Sequence, residues 1–284
     1  MELTPSKQDP SAQDSLEKDS LEKDSPKLIP PKKEILVWDI PTRLFHWLLV
    51  IAITYAWFAV EILEDMEQHF YAGYSVLTLL LFRLVWGFVG SRYALFKSFL
   101  YSPAKIMAYV KTLPVKESTQ EQQPINKTTR YLGHNPLGGL AVFAMLAVLL
   151  FQTGSGLFSS DDYYYGPLAG LIDKGLVAKL TNLHHLNFDI ITALIAIHIV
   201  AILFYHLYKK EHLVGAMFTG KKFTGKKFTS ESAPNKKPVS ADAAITGSKL
   251  VLALFVLVLC ITAVYLLANS FTDTLPSAED YYSF

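Results

Sequence analysis

Residues 183–208 read LHHLNFDIITALIAIHIVAILFYHLY, an apolar run long enough to cross a bilayer that still carries histidines at 184, 185, 198 and 206. A histidine inside a lipid-spanning helix is costly, and it faces a bundle interior, a cavity or a cofactor. His184 and His198 are fourteen residues apart. At about 100° and 1.5 Å per residue they share one helix face and stand roughly 21 Å apart along the axis. That separation fits inside a hydrocarbon core of about 30 Å. Two ligands on one face, one towards each leaflet, suggest two stacked cofactors.

Four more runs of about 20 residues have the same length and character: 43–62, 70–90, 137–157 and 248–268. The expected fold class is all-α, a polytopic membrane helix bundle with a four-helix cofactor-binding core and a fifth C-terminal span. The expected division is a disordered cytoplasmic tail at 1–35, the four-helix domain at 36–210, a basic cytoplasmic loop at 211–247, the fifth helix at 248–268 and an extracytoplasmic tail at 269–284. The tail expectation rests on a polar, charged composition with a near-perfect DSLEK tandem at 14–23 and no short apolar signal core. A second tandem, TGKKFTGKKFT at 219–229, reads as a solvated basic loop that enforces topology, or as a contact with anionic headgroups.

Lysine and arginine counts set the orientation. The stretches 1–43, 91–135 and 207–249 hold 23 of them, and the alternate stretches 61–69, 155–183 and 269–284 hold 2. The positive-inside rule therefore puts the N-terminus in the cytoplasm and the C-terminus on the far side of the membrane. Five spans match that parity. The basic residues are spent on loops facing lipid headgroups, so no nucleic-acid partner is expected. Cys260 is the single cysteine, which excludes an intramolecular disulfide, a CxxC pair and a covalent CxxCH haem site.

With this topology the histidines fall at two levels. His69, opening the second span, and His184 lie near the outer face; His46, early in the first span, and His198 lie towards the inner face. Each pair suits bis-histidine coordination of iron by a non-covalent b-type haem built between helices. With both axial positions filled such a haem moves electrons, and two of them form a path across the membrane. His185 and His206 are second-rank alternatives to His184 and His198. Arg83, fourteen residues after His69, needs a charge partner: a haem propionate, or lipid headgroups reached by snorkelling. Gly73, one turn from His69, reads as a close approach of porphyrin to backbone or as a helix-packing glycine. His134, in GHNPLGG, is a helix-start residue or a contact for a propionate or a quinone.

The segments VWDIPTRLFHW at 37–47, HFYAGYSVLTLLLFRLVWGF at 69–88, GHNPLGG at 133–139 and the His184-His185 pair thirteen residues ahead of His198 resemble the bacterial cytochrome b561 family. That family includes the b-type cytochrome subunit of nickel–iron hydrogenases, and the likeness covers about 35–210. It implies two haems, with ligands carrying over to His46, His69, His184 and His198. It also implies respiratory-chain electron transfer between the quinone pool and a periplasmic partner: a hydrogenase, a c-type cytochrome or another redox protein. The chain would then be an electron-transfer protein or the cytochrome subunit of an oxidoreductase complex. The fifth span, the long tail and His185, where the family often has glutamate, depart from the pattern. The competing reading is a histidine-lined proton-coupled transporter or channel. It expects a chain of intramembrane carboxylates, and Asp189 is the only one well inside a span.

Overall fold

The computed structural model describes residues 33–113, 131–161, 163–209, 211–224 and 249–271. The expected tail up to residue 32, residues 225–229 of the second tandem and the expected extracytoplasmic tail beyond 271 lie outside them. Seven helices and a two-stranded sheet make up the described chain. Five helices are long and apolar enough to cross a membrane: α1 (Ile40–Glu61), α2 (Met66–Val89), α4 (Pro136–Gly156), α5 (Lys174–Leu207) and α7 (Leu250–Asn269). The short α3 (Pro103–Thr112) and α6 (Leu213–Thr219) lie between spans, and β1 (Lys33–Leu36) pairs with β2 (Lys221–Thr224). The chain is thus an all-α multi-pass membrane bundle, as the five runs predict.

An Asp or Asn starts each of the first four spans. Its side-chain oxygen takes an N–H in the first turn, where the helix has no backbone acceptor of its own. Asp39 accepts from Thr42 N at 2.9 Å, Asp65 from Gln68 N at 3.0 Å, Asn135 from Gly138 N at 2.6 Å and Asp173 from Leu176 N at 3.0 Å. Pro41 and Pro136 occupy first-turn positions, where a missing N–H costs nothing. Asp173 starts α5 nine residues ahead of the apolar run, so the helix has 34 residues and projects past the bilayer at that end. The fifth span has no side-chain cap. Lys249 instead reaches back, and its ammonium donates to Val89 O and Gly90 O, both at 3.0 Å, closing the C-terminus of α2.

The packing hub is α2. Half of its span is buried, against about a tenth for α1 and α5, and it packs on α1, α4 and α7. Its Leu80 and Trp86 are fully enclosed and meet Leu146 and Leu149 of α4 and Val256 of α7. α7 presents Ala253, Val256, Cys260 and Val264, spaced three and four apart, as one buried stripe. The helices form two close pairs, α1 with α2 and α4 with α5, joined through α2 and α4, whereas α1 and α5 do not pack closely on each other.

One end of the bundle, the basic end, carries a small folded cap. β1 and β2 run antiparallel from Lys33 opposite Thr224 to Leu36 opposite Lys221. Residues 33–35, at the end of the stretch expected to be tail, and residues 213–224 of the expected basic loop are therefore ordered structure. Four-residue strands without a clear alternation give no local signal, and their partner lies far along the chain. Gly220 turns the chain from α6 into β2 at φ +79°, and its carbonyl accepts from Val37 N at 2.8 Å and Trp38 N at 3.0 Å. A side chain there would strain the left-handed backbone and strike Trp38 O at 2.6 Å. Ile35, Val37, Trp38 and Ala216 bury a second apolar cluster under this cap.

Candidate cofactor site

The best-ordered part of the site is at the end opposite the cap. His69, in the first turn of α2, faces His184 of α5 with ring centres 6.2 Å apart and planes at 83°. Two metal–nitrogen bonds of about 2 Å, plus about 1 Å from each ring centre to its nitrogen, span about 6 Å. The spacing leaves room for one metal ion bound to both rings. The remaining ring nitrogens are tied down. His69 Nδ1–H donates to Ala56 O of α1 at 2.9 Å, and His184 Nδ1–H donates to Gln152 O of α4 at 3.0 Å, with Ser155 Oγ at 3.2 Å. A carbonyl can only accept, so both protons are on Nδ1 and both Nε2 atoms keep a lone pair. This is the tautomer a metal ligand needs, fixed by the kind of backbone contact that supports metal-bound histidines.

His185 is exposed, and its ring meets His184, not His69. His206 is also exposed and lies against His212. Neither second-rank histidine is brought to a partner of the expected set.

At the other level, His46 of α1 and His198 of α5 are both partly buried and close enough for their charges to act on each other. His46 Nδ1 is enclosed and has no hydrogen-bond partner among the described residues. The two helices that carry them share few contacts. A Cβ built at Gly73 would meet nothing within 4 Å, so helix packing does not require the glycine, and the α2 face one turn past His69 borders open space. At the level of His69 and His184 the ring spacing and the unfilled glycine face therefore fit a flat macrocycle with a metal ion between the imidazoles.

Arg83 is 3% exposed, so it does not reach headgroups, and the snorkelling alternative fails. Its guanidinium stands 4.9 Å from the Phe96 ring centre and 5.9 Å from that of Phe99, with Nη1 enclosed and without a hydrogen-bond partner among the described residues. The Asp39 carboxylate acts on it electrostatically. His134 is sandwiched between Trp38 and Phe99, with ring centres at 4.7 and 4.5 Å. It lies just before α4, outside the span. Burial, helped by the charges of Arg83 and Lys222, pushes its imidazole down to about 3, so it is neutral at ordinary pH. Its Nδ1 is enclosed and has no hydrogen-bond partner among the described residues. A buried cation and a neutral imidazole, each with an unanswered nitrogen, make a site for an anionic or carbonyl oxygen.

Several supporting residues escape sequence reasoning. Asn187, 6% exposed, donates to Val148 O at 3.0 Å and Gln152 Oε1 at 2.7 Å. The Gln152 amide nitrogen then stands 3.2 Å from His184 Nε2. Gly156 leaves the space that the His184 ring fills, since a Cβ there would lie 2.9 Å from Cε1. The available signal was two amides, Gln152 and Asn187, in otherwise apolar runs. Asp39 is fully buried, and its Oδ2 accepts from Trp86 Nε1 at 3.1 Å.

The sequence model of the prokaryotic cytochrome b561 family matches residues 37–220, nearly two thirds of the chain. Three curated relatives carry the name probable Ni/Fe-hydrogenase B-type cytochrome subunit. The one from Rhodobacter capsulatus is 25% identical over 221 residues, covering 66% of this chain and 81% of that protein. The one from Azotobacter vinelandii is 25% identical over 215 residues, covering 66% and 87%. The one from Rhizobium leguminosarum bv. viciae is 23% identical over 217 residues, covering 67% and 89%. No solved structure matches the chain.

Proposed function

The chain belongs to the prokaryotic cytochrome b561 family, a family of membrane electron-transfer proteins with haem b, and from that premise we propose that it carries two haems across the bacterial inner membrane. His69 and His184 would hold the outer haem, and His46 and His198 the inner one. The observation that carries this reading is the 6.2 Å approach of His69 to His184 with both Nδ1 protons held by carbonyls. Haem b, when bound, would supply one-electron transfer.

The protein's own residues do the rest. Ala56 O and Gln152 O hold the outer imidazoles in the ligating tautomer. Gly73 lets the macrocycle lie against α2. Arg83 neutralises a propionate of the inner haem, and His134 meets a quinone carbonyl or a second propionate at the same level. The basic end faces the cytoplasm, with the C-terminus in the periplasm, so the outer pair sits near the surface where a periplasmic redox partner docks. The names of the relatives support a hydrogenase as that partner; a c-type cytochrome or another redox protein fits the same geometry. The quinone pool is the partner at the inner level.

The test is the visible spectrum of the purified protein. Two haems per chain and a split α-band on reduction are expected. His198→Ala should remove the inner haem and His69→Ala the outer one, each halving the α-band. A colourless protein, or two haems retained in both variants, overturns the ligand assignment. Reduction by dithionite but not by quinol would remove the quinone from the reading and leave the haems in place.

A further inference from the structure

The loop that joins α4 to α5 stands at the end opposite the cap and presents two adjacent tyrosines, Tyr163 at 89% exposed and Tyr164 at 49%. Its tip is held clear of the hydrocarbon. Ser160 N donates to Thr181 Oγ1 at 3.0 Å, in the turns of α5 that precede the apolar run. Asp161 Oδ1 then accepts from Tyr163 N at 3.2 Å and Tyr164 N at 2.7 Å, which fixes the tyrosine backbone. The Tyr164 ring meets Phe70 of α2 with centres 6.4 Å apart, and Phe70 meets His69 at the same spacing. A chain of three rings thus runs from the exposed loop to the outer histidine pair. Beside it Tyr71, 55% exposed, donates its hydroxyl to Glu67 Oε1 at 2.9 Å. Aromatic surface standing in water past the end of the spans is the kind that protein interfaces bury at their centres.

The charge around these rings selects the occupant. The stretches 61–69, 155–183 and 269–284, which share two lysines, hold ten Asp and Glu residues. Of these, Glu61, Glu64, Glu67, Asp161 and Asp173 are exposed in the structure. The chain's own last stretch, 272–284, carries three of the acids and no base, so like charge keeps it off the loop. A second copy of the chain would bring the same acidic face and is repelled in the same way, as are anionic headgroups. A protein of opposite sign is attracted instead. Complementary charge steers its approach and sets its orientation, while the tyrosines supply the contact that is buried.

Resting on the electron-transfer reading above, we propose that this loop face docks the redox partner at that end, a water-soluble protein that meets Tyr163 and Tyr164 with a basic surface. The probe is a strongly basic c-type cytochrome, its binding measured by biolayer interferometry on the full-length holoprotein in phosphatidylcholine nanodiscs. The wild type should bind it at low salt and release it as salt rises. Glu64→Gln, Glu67→Gln and Asp161→Asn together keep the acceptor oxygens and remove three charges, and should weaken binding about tenfold. Tyr163→Ala, at a side chain that stands in water, should weaken it about fivefold. Glu279→Gln with Asp280→Asn, in the acidic C-terminal stretch, is the control for diffuse charge and should leave binding within about twofold. Unchanged circular dichroism certifies each fold. In the haem-loaded protein, electron exchange with the cytochrome should slow in step with binding. No binding by the wild type, equal binding or equal exchange by the loop variants, or an equal loss in the C-terminal variant overturns the proposal. Binding is read without the haems, so a colourless wild type that still binds through the loop would overturn the two-haem reading and leave the docking surface in place.

Discussion

Asp39→Asn changes one atom at a carboxylate that does three things, and the structure separates them. Oδ1 caps α1 through Thr42 N, Oδ2 takes the Trp86 indole proton, and the charge acts on the buried Arg83. Asparagine caps a helix about as well as aspartate, so the first contribution survives. With the amide oxygen kept on Thr42 N, the amide nitrogen faces the Trp86 donor. The hydrogen bond lost there, to a charged acceptor, is worth about 1.5–3 kcal/mol. Arg83 also loses the nearby carboxylate charge while its Nη1 stays enclosed, which adds about 1 kcal/mol or more in a medium of low dielectric. The expected total is about 3 kcal/mol. Trp86→Phe gives the indole share alone. In the cycle of Asp39→Asn with Arg83→Gln, the double variant should be about 1 kcal/mol more stable than the two single losses add to. Unfolding in mixed detergent micelles, followed by circular dichroism, reads all four proteins. If Asp39→Asn falls within about 0.5 kcal/mol of wild type, or the cycle closes additively, the charge argument is wrong and Asp39 is only a cap.

Gly73→Ala meets no atom within 4 Å, so it should stabilise the haem-free bundle by up to about 1 kcal/mol; the same variant should lower haem content, measured by pyridine haemochrome per chain. His134 is held neutral when folded and takes a proton below about 6.5 when unfolded. Stability should therefore fall as pH drops from about 6.5 towards 3, by up to about 1.4 kcal/mol per pH unit, and His134→Gln should flatten that limb in an acid titration. Lys249→Met should expose amides at the C-terminus of α2 and the N-terminus of α7 in hydrogen exchange, with the outer-haem spectrum unchanged.

The spans were legible because length and apolar runs are local properties, and the histidines could be placed on shared faces because a helix repeats its face on a fixed period. The choice between His184 and His185 was not legible, since adjacent residues on a helix differ only in rotation; in the structure it is His184 whose ring meets His69. Which helix is central was not legible. The spans α1 and α2 have mean hydropathies of 1.6 and 1.7, yet one is mostly exposed and the other half buried. Lipid and protein interior are equally apolar, so composition does not separate them. The fate of Arg83 was undecided for the same reason: an arginine fourteen residues into a span can snorkel or turn inward, and only its aromatic neighbours decide. The outer tautomers depend on carbonyls of α1 and α4, which no side-chain pattern encodes.

The clasp formed by Lys33–Leu36 and Lys221–Thr224 joins the approach to α1 to the segment that follows α5. Those are the two helices that carry His46 and His198, and they share few contacts. The spacing between them is thus gauged from outside the bilayer, by a latch of eight residues. It also sets a timetable for biogenesis. The outer histidines are both synthesised once residue 184 has been added, whereas the inner gap cannot be fixed until residue 224 has left the ribosome, forty residues later.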